Sequence, residues 1–173
     1  MNKVFFFFML FAANVSCAQK VTWHKVIVDK NRSFAVKNEG TRHNSLFEIP
    51  DTKGVIKSDI MVNDDTTRNI VFTKGELKSD TLKLVIHQTD PSYDHQYVIL
   101  IARDRYTIDY RFSTSGEDVT RKLKPIETKL ILNGLNFRKG GELRGYTEYK
   151  AKCLEGCWED TIVVRGNFII TID

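Results

Sequence analysis

Tyr106-Thr107-Ile108-Asp109-Tyr110-Arg111-Phe112-Ser113 alternates apolar and polar residues over its whole length. Side chains of a strand point to opposite faces in turn, so strict period two marks a strand buried on one face. The pattern returns near the C-terminus. There Ile162, Val164, Gly166, Phe168, Ile170 and Ile172 hold one parity; Val163, Arg165, Asn167, Ile169 and Thr171 hold the other. Between these stretches, Tyr97 to Ala102 is apolar on both parities, which predicts a central strand.

Working outward, Val21 to Val28, Ile56 to Val62, Ile70 to Phe72, Leu82 to Ile86 and Leu130 to Leu132 are further strand candidates. Turn-forming clusters separate them: Asp51-Thr52-Lys53-Gly54, Asn63-Asp64-Asp65, Thr73-Lys74-Gly75, Asp90-Pro91-Ser92 and Arg138-Lys139-Gly140-Gly141. No helical period is sustained. The best helix candidate is Glu117 to Leu123, one or two turns ending before Pro125. Many short strands in one chain predict an all-β fold. The expected form is a single antiparallel β-sandwich of about eight to ten strands, immunoglobulin-like in outline. The Cys-Trp-Cys spacing of true immunoglobulin domains is absent, and a closed calycin-type barrel is the alternative.

The last hairpin carries a register argument. From Glu142 to Cys153 the uncharged face lies at odd positions, Leu143, Gly145, Thr147, Tyr149 and Ala151. The following strand keeps its core face at even positions, Ile162, Val164 and Phe168. If Cys153 stood opposite Cys157, odd positions would face odd ones, and the two core sets would lie on opposite faces. A one-residue slip flips every side chain, so a bulge is expected between the cysteines and Ile162, in Trp158-Glu159-Asp160.

The N-terminus reads as an export signal. Lys3 precedes ten unbroken apolar residues, Val4 to Ala13, and a small polar region runs from Asn14 to Ala18. A spanning helix needs about 20 apolar residues. Residues 1–18 are therefore expected to be a signal peptide and residues 19–173 the folded domain. Ser16-Cys17-Ala18 fits cleavage before Gln19. The rival is acylation of Cys17 as a lipoprotein, although Asn14 and Val15 depart from a good lipobox. Export to the periplasm or beyond follows on the first reading, an outer-membrane lipoprotein on the second; only acylation implies a membrane.

Cysteine use agrees with export. Cys153 and Cys157 are the pair left after Cys17, and in an oxidising compartment they read as one disulfide. A loop that short contributes about 2 kcal/mol in the chain-entropy model, enough to pin a turn.

The remaining motifs point away from chemistry. His87 and His95 flank a polar loop with Asp90 and Asp94, and they are the metal candidates. Their spacing matches no metal signature, and polar residues crowd any exposed hairpin end. No cofactor is expected. There is no Gly-x-Ser-x-Gly elbow, and the cysteines are accounted for, so no catalytic residue is named and an enzyme is not expected.

Charge and aromatic residues suggest binding instead. Removing residues 1–18 takes away Lys3 alone among charged groups and leaves a net charge of +3. From Arg121 to Lys152 nine basic residues meet three acidic ones. Such a tract suits anionic sugars or headgroups, and it also suits solvated strand faces. Export argues against nucleic acid. Tyr146, Tyr149 and Trp158 gather around the cysteine hairpin, with Arg144 beside them. Exposed Tyr and Trp stack on sugars or anchor a protein partner, and these four are the binding candidates. The expected function is a small exported, non-catalytic protein that binds a protein or polymer partner. The alternative is a soluble carrier or lectin-like module for a small ligand or glycan.

Overall fold

Tight turns divide the chain into antiparallel pairs. The computed structural model describes residues 22–36, 57–70, 72–90, 93–114, 121–157 and 159–173. Among them are twelve strands and no helix. The first six are β1 (His24–Lys25), β2 (Ile27–Val28), β3 (Lys57–Ser58), β4 (Ile60–Val62), β5 (Asp65–Ile70) and β6 (Phe72–Lys78). The rest are β7 (Thr81–Asp90), β8 (Tyr93–Ala102), β9 (Arg105–Thr114), β10 (Lys122–Leu132), β11 (Glu142–Glu155) and β12 (Thr161–Thr171). Two of these boundaries, β1/β2 and β3/β4, are interruptions of one residue, at Val26 and Asp59. That accounts for the excess over the eight to ten strands expected.

Two sheets form, ordered β1-β9-β8-β7-β6 and β2-β10-β11-β12-β4-β5, with β3 also on β12. They do not close into a barrel, so the calycin-type alternative falls. Both margins are nevertheless stitched by chain that changes sheet. β1 pairs antiparallel with β9, and β2 then pairs parallel with β10. Val26 sits at this corner, buried, with its N–H donating to the Asp104 carbonyl at 2.8 Å. On the opposite margin β5 belongs to the second sheet and β6 to the first. Here Asp173 N–H donates to Gly75 C=O at 2.8 Å, and Leu77 N–H to Asp173 C=O at 3.2 Å. Bends of this kind make the corners of two-sheet folds.

One hydrophobic cluster draws on both sheets. Leu82, Leu84, Ile86, Tyr97, Ile99, Ile101, Tyr106 and Tyr110 come from the first. Ile60, Val62, Leu130, Leu132, Tyr149, Val164 and Phe168 are among those from the second. Tyr97 and Thr147 share a hydrogen bond of 2.9 Å between the sheets, and the Tyr97 and Tyr149 rings meet edge to face at 6.0 Å. The period-two reading of β9, β11 and β12 thus identifies the buried faces correctly, and β8, read as apolar on both faces, is the central strand of its sheet.

Several boundaries differ from expectation. Thr73-Lys74-Gly75 is not a turn but the middle of β6. A Cβ on Gly75 would stand 2.7 Å from Ile170 Cδ1, so the glycine serves the close approach of β6 to β12. The actual turn is Ser79-Asp80, and Arg103-Asp104 makes another, with Ser79 and Arg103 at φ of 52° and 57°. Asn63-Asp64 is a turn as expected; both residues have positive φ, as a two-residue type I′ hairpin requires. The expected helix fails where it is described, because Lys122 and Leu123 open β10. Pro125 lies in that strand at a register shift, along the stretch of β10 that pairs with β11 alone, where a missing donor is tolerated.

The last hairpin keeps one register from Glu142 to Lys152. Gly145 faces Phe168, Tyr149 faces Val164 and Ala151 faces Ile162, so odd positions face even ones and both core sets share a face. The ladder reaches Cys153, whose N–H donates to Asp160 C=O at 2.8 Å. The offset from a cysteine-centred register is real. It is absorbed beyond the Cys153–Asp160 contact, in the segment that holds Cys157; Trp158, where the bulge is expected to begin, lies outside the described residues.

Candidate functional site: a basic cleft on the outer face of the second sheet

Two buried apolar residues, Phe34 and Ile131, stand outside the main cluster. They mark a second packing site on the outer face of the second sheet. After β2 the chain turns back at Asp29, whose Oδ1 accepts from the N–H of Asn31 (3.0 Å) and of Arg32 (3.1 Å). This Asx turn directs residues 33–36 over the sheet. Asn167 on β12 holds them there, its Nδ2 donating to Ala35 C=O at 3.0 Å. Arg32 lies over the Tyr146 ring, 4.5 Å from its centroid, and 5.8 Å from that of Phe34. A guanidinium over an aromatic face is attracted by the ring quadrupole.

Beside this strap lies a cleft of about 600 Å³. Its lining includes Lys30, Arg32, Ser33, Phe34, Asn133 and Arg144. Among the described residues three cations and no carboxylate line it. Arg144 is anchored on both sides. Its backbone N–H donates to Asn133 Oδ1 at 3.1 Å, and its side-chain Nε donates to Glu142 Oε1 at 2.7 Å. Tyr146 donates its hydroxyl to Glu148 Oε2 at 3.1 Å. Partial burial, then the neighbouring Glu148, push its phenol pKa up. The ring therefore stays neutral under the Arg32 cation.

The expected binding residues separate. Arg144 and Tyr146 come together at the cleft. Tyr146 is half-buried, and its face is covered by Arg32. Tyr149 is a correction: at 3 % exposure it packs against Tyr97 and Tyr110 inside the core. Its parity puts it on the inner face, and burial pushes its phenol up to about 12. Trp158 lies outside the described residues, as do residues 1–18 with Cys17. Cys153 and Cys157 are joined in a disulfide at the β11–β12 tip, far along the strand from Arg144.

The histidine pair is not assembled as a hairpin-end site. β7 and β8 run on past both positions. Position 87 faces Gln96 and position 95 faces Gln88. Cross-strand partners share a face, so positions 87 and 95 belong to opposite faces of the sheet.

The basic tract from Arg121 to Lys152 is likewise dispersed. Lys122 pairs with Glu155 near the disulfide, and Lys124 stands across from Lys152. Arg138 and Lys139 occupy the connection before β11, and Arg144 alone reaches the cleft. Sequence reading missed Lys30, Arg32, Ser33 and Asn133. The available signal was Asp29-Lys30-Asn31-Arg32-Ser33, a turn-forming run with two cations directly after a strand candidate.

Comparison with family models, with curated proteins and with solved structures finds no match.

Proposed function

We propose that this is a small exported protein, processed near residue 18, whose two sheets form a β-sandwich that binds a protein or polymer partner without catalysis. The observation that carries the reading is the cleft of Lys30, Arg32 and Arg144 on an outer sheet face. Its groups are charges and hydrogen-bond donors held in place by their neighbours, which suits recognition of an anionic surface. The space between the sheets is filled by Tyr97, Tyr106, Phe168 and their aliphatic neighbours. That favours a partner on the outside over a carried ligand within. The cysteine pair closed at the hairpin tip accords with an oxidising compartment.

The test is affinity capture of the tagged mature chain from the source cell's envelope fraction, with intact mass measured on the same sample. A stoichiometric partner, lost when Arg32 and Arg144 are reversed to Glu, supports the reading. A co-purifying small molecule with no macromolecular partner overturns it. The mass distinguishes a start at Gln19 from an acylated Cys17.

A further inference from the structure

The chemistry of the cleft narrows its partner. Sugar binding on β-proteins uses open aromatic faces, because ring C–H groups pack on a π surface. Here the face of Tyr146 is covered by Arg32, and Phe34 is 4 % exposed. What remains on offer is charge and hydrogen bonding. The Arg32 backbone is fixed by the Asx turn, and its guanidinium rests on the Tyr146 ring. The Arg144 guanidinium is held by Glu142 through its Nε, and the backbone N–H of Arg144 donates to Asn133. Planar guanidinium groups held this way match carboxylates in bidentate geometry and lose little entropy on binding. Ser33 and Asn133 add neutral partners of the kind that peptide amides use. A volume of about 600 Å³ is ample for several residues' side chains.

We propose that the cleft docks an acidic peptide segment of a partner protein, its side-chain carboxylates meeting Arg32, Arg144 and Lys30. This rests on the partner-binding reading above and names the chemistry of that partner. Glu142 already occupies the Nε edge of Arg144, so the incoming carboxylate competes there with a local acid. Arg32 and Lys30 are therefore the stronger contacts, and binding weakens with salt as exposed charge pairs do.

The test uses residues 19–173 and fluorescence anisotropy of labelled hexaglutamate. Hexalysine, a neutral Gly-Ser hexapeptide and an oligouronate of equal charge serve as comparisons. Hexaglutamate is expected to bind, the neutral and basic peptides not, and the oligouronate more weakly. Arg32→Gln and Arg144→Gln each weaken hexaglutamate, Arg32→Gln by roughly tenfold and Arg144→Gln by less. The combined Arg32→Glu and Arg144→Glu chain loses hexaglutamate and gains hexalysine, which a merely structural role would not produce. Arg138→Glu with Lys139→Glu, outside the cleft lining, leaves affinity within about twofold. Binding equal to that of the neutral peptide overturns the proposal. So does equal loss in the 138/139 pair, and so does tighter binding of the oligouronate. If the reversed chain loses its β-type circular dichroism, the two Gln variants decide. A captured protein partner together with silent hexaglutamate would sink only the peptide assignment; no captured partner would sink the function itself.

Discussion

On β11, Leu143, Gly145, Thr147, Tyr149 and Ala151 are buried, while Arg144, Tyr146, Glu148 and Lys150 alternate with them on the outer face. The same backbone thus serves two kinds of physics. Inside, neighbours meet as shapes in a dry space. A Cβ on Gly145 would fall 2.3 Å from Phe168 Cζ and 2.8 Å from Leu132 Cδ2. Gly145 is small because Phe168 is large, and β12 places the two directly opposite. Outside, neighbours meet as charges in water, as in Arg144 with Glu142 and Arg165 with Asp64. The inner face is intolerant and holds the sheets together. Around Arg144 and Arg165 the outer face is tolerant, although Phe34 and Ile131 bury a small apolar patch on the same side.

Phe168→Ala is the sharpest way to break that contrast. Phe168 is fully buried, so its truncation should cost about 3–5 kcal/mol in urea unfolding. Ile169, its outward neighbour at the cleft, should cost clearly less on truncation to Ala. Equal costs would mean that the outer face is also core. Gly145→Ala sharpens the same point. Alone it overpacks the site by about 1–3 kcal/mol, and combined with Phe168→Leu much of that cost should vanish.

The alternation of β11 and β12 made this contrast legible beforehand. Period two names the faces, and facing parity exposes a register conflict that only a loop or bulge can absorb. Strand lengths were less legible. Ser79-Asp80 and Arg103-Asp104 turn without a glycine, with Ser79 and Arg103 in the left-handed region, so composition gave little warning. Gly75 misled in the other direction, because a glycine needed for close packing looks the same in sequence as one needed for a turn. The site was legible only in part. Arg144 and Tyr146 stood in a suspicious tract, but Lys30 and Arg32 reach them from over a hundred residues away. Linear charge counting cannot see such a meeting.

Alkaline pH tests the inner face by a different route. Burial pushes the Tyr149 phenol up to about 12 and holds that of Tyr97 well above its ordinary 10. In the unfolded chain both ionise near pH 10. Raised phenols contribute stability that is intact below pH 10 and is lost as pH climbs toward the folded value. Between pH 10 and 12 the Tyr149 phenol removes about 1.4 kcal/mol per pH unit, and Tyr97 acts in the same direction. Urea titrations should therefore show a steeper alkaline decline in the parent than in Tyr149→Phe. An identical slope in that variant would mean that Tyr149 is accessible to water.

The outer face should respond weakly, and Asp64 shows why the variant must be chosen with care. Asp64 accepts from Arg165 Nε at 2.9 Å and Nη2 at 2.6 Å, and this pairing lowers its carboxyl pKa. Both side chains are about half exposed, so water and salt screen most of the attraction. Asp64 also sits at φ 57° in the β4–β5 turn, a conformation that Asn accepts readily and Ala does not. Asp64→Asn removes the charge and keeps the turn; Asp64→Ala removes both. The first should cost at most about 1 kcal/mol near neutral pH and fade in high salt. A lowered carboxyl contributes above its unfolded pKa and stops contributing as pH falls through its folded value. The Asn variant and the parent should therefore converge in acid. Asp64→Ala should remain less stable than both in salt and in acid, because the backbone cost does not titrate. If Asn cost as much as Ala at every pH, charge would not be the currency of this face, and the cleft would have to be read by shape.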